Sequence, residues 1–172
     1  MKKIALLGLL SVAVIANESG LYMGADVGRA KEHDQTSTGI TYTNKSTSYG
    51  FDVGYYFDAN NRAYGFYQYI SKGSFVKPTD AYGAGYDYLF GTSSLKPFVG
   101  VMLGYSIYKN GNYKQDGLAY GGQAGVDYKV NTNISVDAGY RYLFSDAKYT
   151  NGSYVEETTH FDAFFAGANY KF

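Results

Sequence analysis

Five aspartates, Asp26, Asp52, Asp87, Asp127 and Asp137, and three cations, Lys129, Arg141 and Lys171, sit singly in runs that alternate apolar with polar side chains. A carboxylate or guanidinium shut away from water is expensive unless it is paired or hydrated. These eight residues are therefore expected to form an ion-pair network, with Arg141 meeting Asp127 or Asp137. Such a network either satisfies itself and fills the space it occupies, or it lines a narrow ion path. Two histidines are the other candidates for chemistry. His160 lies near Glu156, Glu157 and Asp162, an arrangement that suits a base or a metal on paper and a solvated loop-strand junction in practice. His33 and His160 are the only soft ligands, and with no cysteine a structural zinc site is excluded. No cofactor, metal or catalytic residue is expected.

Composition excludes further classes. Fifteen basic and fifteen acidic residues leave no net charge, so there is no cationic footprint for nucleic acid. Strings such as Gly83-Ala84-Gly85 lie inside strand-like runs with no following helix, so they are not phosphate loops. The 172 residues make one domain, and 21 Tyr, 11 Phe and 22 Gly mark an unusual one.

Residues 1–16, MKKIALLGLLSVAVIA, place two lysines before an apolar run that ends in small residues. This is the pattern of a secretory signal peptide, with cleavage expected after Ala16 and a mature barrel over residues 17–172. The apolar run stops at Asn17-Glu18, short of the roughly 18 residues a spanning helix needs.

The mature chain shows no helical period, and period two recurs about eight times, the mark of strands. They are expected over residues 21–29, 48–57, 62–70, 81–90, 99–107, 120–130, 134–144 and 161–172. The third is aromatic on both faces, and alternation does not assign its facing. Connections alternate in length: residues 30–47, 71–80, 108–117 and 145–159 form long polar loops, whereas 58–61, 91–96 and 131–133 are shorter. Four long loops thus fall at one end of the sheet, and the turns and both termini at the other.

Period two does not say which face is buried. The polar face is rich in glycine, which suits a crowded, narrow interior rather than a wet wall. The other face carries almost no charge and places Tyr or Phe near strand ends, as at Tyr55 and Phe57, Tyr88 and Phe90, Tyr142 and Phe144, Tyr170 and Phe172. Those are girdle positions of a membrane barrel. An all-β, eight-stranded antiparallel up-and-down transmembrane β-barrel is expected.

The leader, the eight alternating strands, LKPFVGVMLGYS, YGGQAGVDYKV, ISVDAGYRYLF and the terminal FFAGANYKF resemble the small eight-stranded outer-membrane barrels of Gram-negative bacteria, a group that includes the transmembrane domain of outer-membrane protein A, OmpX-like proteins and opacity-type surface antigens. The likeness covers essentially the whole mature chain. It implies that Phe172, Tyr170 and Phe164 form the carboxy-terminal signal read by the barrel-assembly machinery. It also implies residence in the cell outer membrane among outer-membrane lipid and lipopolysaccharide. Lipid A deacylases share this scaffold and use a His and a Ser two apart on a strand. Here His33 precedes Asp34-Gln35 and His160 precedes Phe161-Asp162, so that spacing is absent.

The expected function is a monomeric membrane scaffold displaying four loops, for adhesion, for contact with a host or surface ligand, or for envelope integrity. Residues 36–43 and 148–157 are the expected contacts. The alternative is a small porin with a path through the charged lumen; a third class is a soluble lipocalin-like carrier.

Overall fold

The computed structural model describes residues 19–36, 41–71, 79–110, 113–146, 148–151 and 154–172. The leader expected over residues 1–16 lies outside the described residues. Nine strands follow in order: β1 (Gly20–Thr36), β2 (Thr41–Tyr56), β3 (Asn61–Ile70), β4 (Thr79–Leu89), β5 (Leu95–Asn110), β6 (Tyr113–Lys129), β7 (Ile134–Ser145), β8 (Lys148–Asn151) and β9 (Tyr154–Lys171). Each of β1 to β7 pairs antiparallel with the next, β7 pairs with β9, and β9 returns to β1. The four-residue β8 pairs only with the start of β9, as a hairpin extension outside the ring. The result is a closed, eight-stranded antiparallel barrel. Closure leaves the ring without an unpaired edge, which is what a sheet in hydrocarbon requires.

Inward and outward faces follow the alternation. Leu21, Met23 and Val27 on β1 point out, and Tyr22, Gly24, Asp26 and Gly28 point in. Large apolar side chains that water would punish are left on the outside all the way round, with Val101 65% and Phe164 63% exposed. That is the inverse of a soluble barrel and suits lipid as the surrounding solvent. Tyr88 and Phe90, and Tyr170 and Phe172, meet edge to face at the short-turn end, as Tyr142 and Phe144 do at the loop end.

Several expected loops are strand. Residues 30–36 and 41–47 lie in a continuation of the β1–β2 hairpin, paired from Ala30↔Ser46 to Gln35↔Thr41. The β5–β6 hairpin likewise runs on to Asn110↔Tyr113, and the segment 145–159 contains β8 and the start of β9. Above the bilayer neither face must be apolar, so these extensions carry no period-two signal even though their ladders are unbroken.

Two features fix the interior and the short turns. Gly83 and Gly104 face each other across β4 and β5, where a Cβ on either would lie 2.2 Å from the partner strand's carbonyl oxygen. At the first short turn the Asp58 carboxylate accepts the Asn60 N–H at 2.7 Å and the Asn61 side-chain amide at 2.8 Å. These bonds, that of Asn60 first, hold the Asp58 carboxyl below the usual carboxylate range. A depressed folded pKa means that its stabilisation is present at neutral pH and fades as pH falls through the lowered value.

Two outcomes follow from this geometry. Asp58→Ala should lower the urea midpoint at neutral pH and flatten its fall below about pH 4, measured on vesicle-folded protein; an unchanged profile would contradict the turn assignment. A Cβ at Gly100 would lie 1.8 Å from Asp87 Oδ1, whereas at outward-facing Gly65 nothing comes closer than 3.8 Å. Gly100→Val should therefore destabilise by about 1–3 kcal/mol or more, while Gly65→Val leaves the heat-dependent electrophoretic shift intact.

Candidate functional site

The lumen is organised around two arginines on opposite sides of the ring. Arg62, from β3, donates through Nε to Asp87 Oδ2 at 2.8 Å, and its Nη2 forms an ion pair with the same oxygen at 2.8 Å. Its Nη1 donates to the Tyr56 hydroxyl at 3.0 Å. The guanidinium also lies 3.7 Å from Asp127 Oδ2 and 3.7 Å from Asp137 Oδ2. Its central carbon sits 5.3 Å from the centre of the Phe98 ring, with Tyr22 and Tyr56 at similar range. One cation thus serves three carboxylates inside an aromatic collar.

Arg141, from β7, donates through Nε to Gln123 Oε1 at 3.0 Å, through Nη1 to Gln68 Oε1, and through Nη2 to Asp26 Oδ2 at 3.3 Å. Phe165 stacks beneath it at 4.6 Å. Gln123 joins the two centres, because its Nε2 donates to the Tyr64 hydroxyl at 2.9 Å and to Asp87 Oδ1 at 3.1 Å. Tyr64 in turn donates to Asp87 Oδ1 at 3.1 Å. Nearer the short turns, Ser135 donates to Asp127 at 2.9 Å and Asn169 to Asp137 at 3.1 Å. Tyr22 donates to Asp52.

The pairing differs from the expected one. Arg141 meets Asp26 rather than Asp127 or Asp137. Its register partner on β6 is Gln123, and the two aspartates lie four residues nearer the short turns, within reach of Arg62. Asp127 and Asp137 are directly paired across β6 and β7, a placement that repels without a shared cation. Lys129 and Lys171 are not in this cluster. With Lys96 they line a pocket of about 70 Å³ at the short-turn mouth, where Lys96 Nζ donates to the Ala59 carbonyl at 2.6 Å. A second cavity, of about 20 Å³, lies among Asp26, Asp52, Arg62, Asp137 and Arg141.

Arg62 and Gln68 went unassigned in the sequence because their strand is aromatic on both faces. A usable signal exists: an outward face that excludes charge forces the parity of Arg62, Tyr64, Phe66, Gln68 and Ile70 inward, and those five are buried. Phe164, Tyr170 and Phe172 all lie on the lipid-facing side. His160 stacks on Tyr142 with ring centres 5.0 Å apart, and the side chain of His33 lies outside the described residues.

Towards the loops an apolar layer lies over the network. Ile70, Ala81, Met102, Leu143 and Phe161 form one buried cluster with Tyr22, Tyr64 and Phe66. Just above it Ser106 and Ser145 share a hydrogen bond of 2.8 Å. Chemically the arrangement is a densely hydrogen-bonded polar core, in which Asp26 is bonded through Oδ2 but not through its buried Oδ1, beneath a mainly apolar layer; among the described residues no group of three or more His, Asp or Glu is placed to hold a metal ion.

The chain is similar to known membrane barrels. A family model described as outer membrane protein beta-barrel domain matches residues 4–172. The crystal structure of Neisserial surface protein A is 27% identical, superposes with a TM-score of 0.69, and the match covers 90% of this chain and 99% of that one. Outer membrane protein H of Pseudomonas aeruginosa, solved in micelles, is 24% identical over 89% of this chain and 99% of its own, with a TM-score of 0.60. OprG of Pseudomonas aeruginosa is 16% identical over 90% and 97%, with a TM-score of 0.62, and like the preceding structure shows the fold alone. No curated protein sequence matches the chain. The chain belongs to the outer-membrane β-barrel protein family.

Proposed function

We propose that this protein is a closed, lipid-embedded scaffold whose work is done by the hairpin ends it holds above the outer leaflet, where they meet a surface ligand or stabilise the envelope. The observation that carries this reading is the filling of the lumen. The Arg62 and Arg141 centres occupy its middle, and the Ile70–Leu143–Phe161 layer separates them from the loops. A hydrated path from end to end would have to pass that layer, where Ser48, Thr79 and Ser106, the hydroxyl side chains in register with Ile70 and Ala81, are themselves fully buried and neutral.

Rigidity is the second support. A barrel that displays hairpins profits from an interior that cannot slip register, and bonds from β7 to β3, from β7 to β1 and from β6 to β3 pin strands that are not neighbours in the ring. The outward-extended ladders of β1–β2 and β5–β6 carry that order beyond the membrane band. The carboxy-terminal Phe172, whose N–H bonds to the Leu21 carbonyl at 3.0 Å, fits the role of an assembly signal completing the ring.

Planar-bilayer recording on protein with a verified heat-dependent mobility shift should show no discrete conductance steps. Reproducible unitary steps would replace the scaffold with a small channel. Removing Arg62 leaves Asp87, Asp127 and Asp137 buried without their cation, so Arg62→Ala should cost about 3–5 kcal/mol in vesicle-based unfolding. Arg62→Lys should recover only part of that, because an ammonium lacks the planar fork.

A further inference from the structure

Among the described side chains, charges on the outward face of the barrel are few, and at the loop end three cations are grouped on one hairpin. On β1 and β2 three cations, Arg29, Lys31 and Lys45, point outward and are exposed. Lys31 and Lys45 are direct register partners, and Arg29 lies two residues below Lys31 on the same face. Two outward carboxylates elsewhere on the rim are tied to girdle tyrosines: Asp80 accepts from Tyr67 at 2.6 Å and Asp116 from Tyr105 at 2.7 Å. Among the described side chains, the acid beside the cations is Asp162, in register with Lys31 on β9, which is buried and takes a hydrogen bond from Tyr140.

The height of the three cations is set by the strand. Lys31 lies ten residues above Leu21, the first outward apolar side chain of β1. At about 3.4 Å per residue and a tilt of about 40° that is roughly 26 Å along the membrane normal, matching an apolar band about 25 Å tall. Directly below them come Val27 and Tyr49, a register pair, while Phe164 stands level with Arg29, all three outward and exposed. Three flexible cations thus stand on the last row of lipid-facing side chains, at headgroup height.

We propose that Arg29, Lys31 and Lys45 form a binding site for the phosphate groups of a phosphorylated outer-leaflet lipid, whose acyl chains lie against Val27, Tyr49 and Phe164. The inference rests on the scaffold reading for which end faces outward. Neighbouring Cα atoms across a strand pair are about 5 Å apart, close enough for two or three of these side chains to converge on one phosphate. A guanidinium gives that phosphate a two-pronged donor and each lysine a point charge. The apolar row beneath distinguishes a lipid from a soluble polyanion, since only a lipid satisfies both halves of the surface. The patch would fix the rotational setting of the barrel against its lipid and favour the first hairpin as the one nearest the charged headgroups.

The test is retention of diphosphoryl lipid A by the folded mature chain during graded delipidation, read by native mass spectrometry. The wild type should keep it at least about tenfold better than Arg29→Gln/Lys31→Gln/Lys45→Gln, in line with the attraction of clustered basic residues for anionic headgroups. The charge-keeping variant Arg29→Lys/Lys31→Arg/Lys45→Arg should restore retention. Dephosphorylated lipid A should be lost equally by all three proteins. Equal retention of the diphosphoryl form by wild type and neutral variant would overturn the site. So would a variant that loses only a soluble probe, inorganic phosphate or a sulfated polysaccharide, while lipid retention stays the same. Conductance recorded on the same samples reports on the scaffold reading separately, and the heat-dependent shift verifies that each variant is folded.

Discussion

The structure depends on one shared cation. Five carboxylates enter a space walled all round by the lipid-facing strands, and Asp127 and Asp137 are placed face to face across a strand pair. Such a pairing is tolerable only with a positive charge between them and a low-dielectric surround that strengthens the attraction as much as it punishes an unpaired ion. Arg62 supplies that charge to Asp87, Asp127 and Asp137 at once. Its demands fix much around it: the Tyr56 hydroxyl, the Phe98 ring and the glycine at position 100 that leaves room for the Asp87 carboxylate.

Charge balance extends the same logic along the barrel axis. Inside, two arginines face five aspartates, and the excess of acid is met by Lys96, Lys129 and Lys171 at the short-turn mouth. Among the described residues the charged part of the lumen therefore lies towards the short turns, and the part towards the loops is neutral, with apolar side chains beside the buried hydroxyls of Ser48, Thr79, Ser106 and Ser145. Lipid-facing chemistry runs the opposite way, with cations outside β1 and β2 at the loop end. A barrel with these two asymmetries is oriented by its side chains and not only by its loop lengths.

The sequence carries the architecture because the bilayer imposes a strict rule at every second residue. Leu21, Met23 and Val27 against Tyr22, Gly24 and Asp26 can be read without coordinates, since a wrong parity would put Asp26 in hydrocarbon. The rule lapses where the constraint lapses. Residues 30–47 look like a loop because strands in water need no apolar face, and β3 defeats the alternation because Tyr and Phe are acceptable both to lipid and to a packed lumen. The lumen charges were identifiable by type and parity, but their partners were not. Arg141 meets its register partner Gln123 but is long enough to reach on to Gln68 of β3 and Asp26 of β1, and such contacts depend on closure of the ring rather than on strand register. The lysines mislead for a related reason: Lys129 and Lys171 have inward parity but sit at a mouth where water reaches them.

The central claim is that Arg62 and its carboxylates form a dry, fixed unit inside the lipid-embedded barrel. Solid-state NMR in bilayers tests this directly, through magnetisation transfer between the Arg62 guanidinium nitrogens and the Asp87 carboxyl carbon, alongside transfer from water to the same nitrogens. Strong nitrogen-to-carboxyl transfer with weak transfer from water is the predicted result. An Arg62 guanidinium that exchanges freely with water and shows no coupling to Asp87 would contradict the account and leave the lumen open.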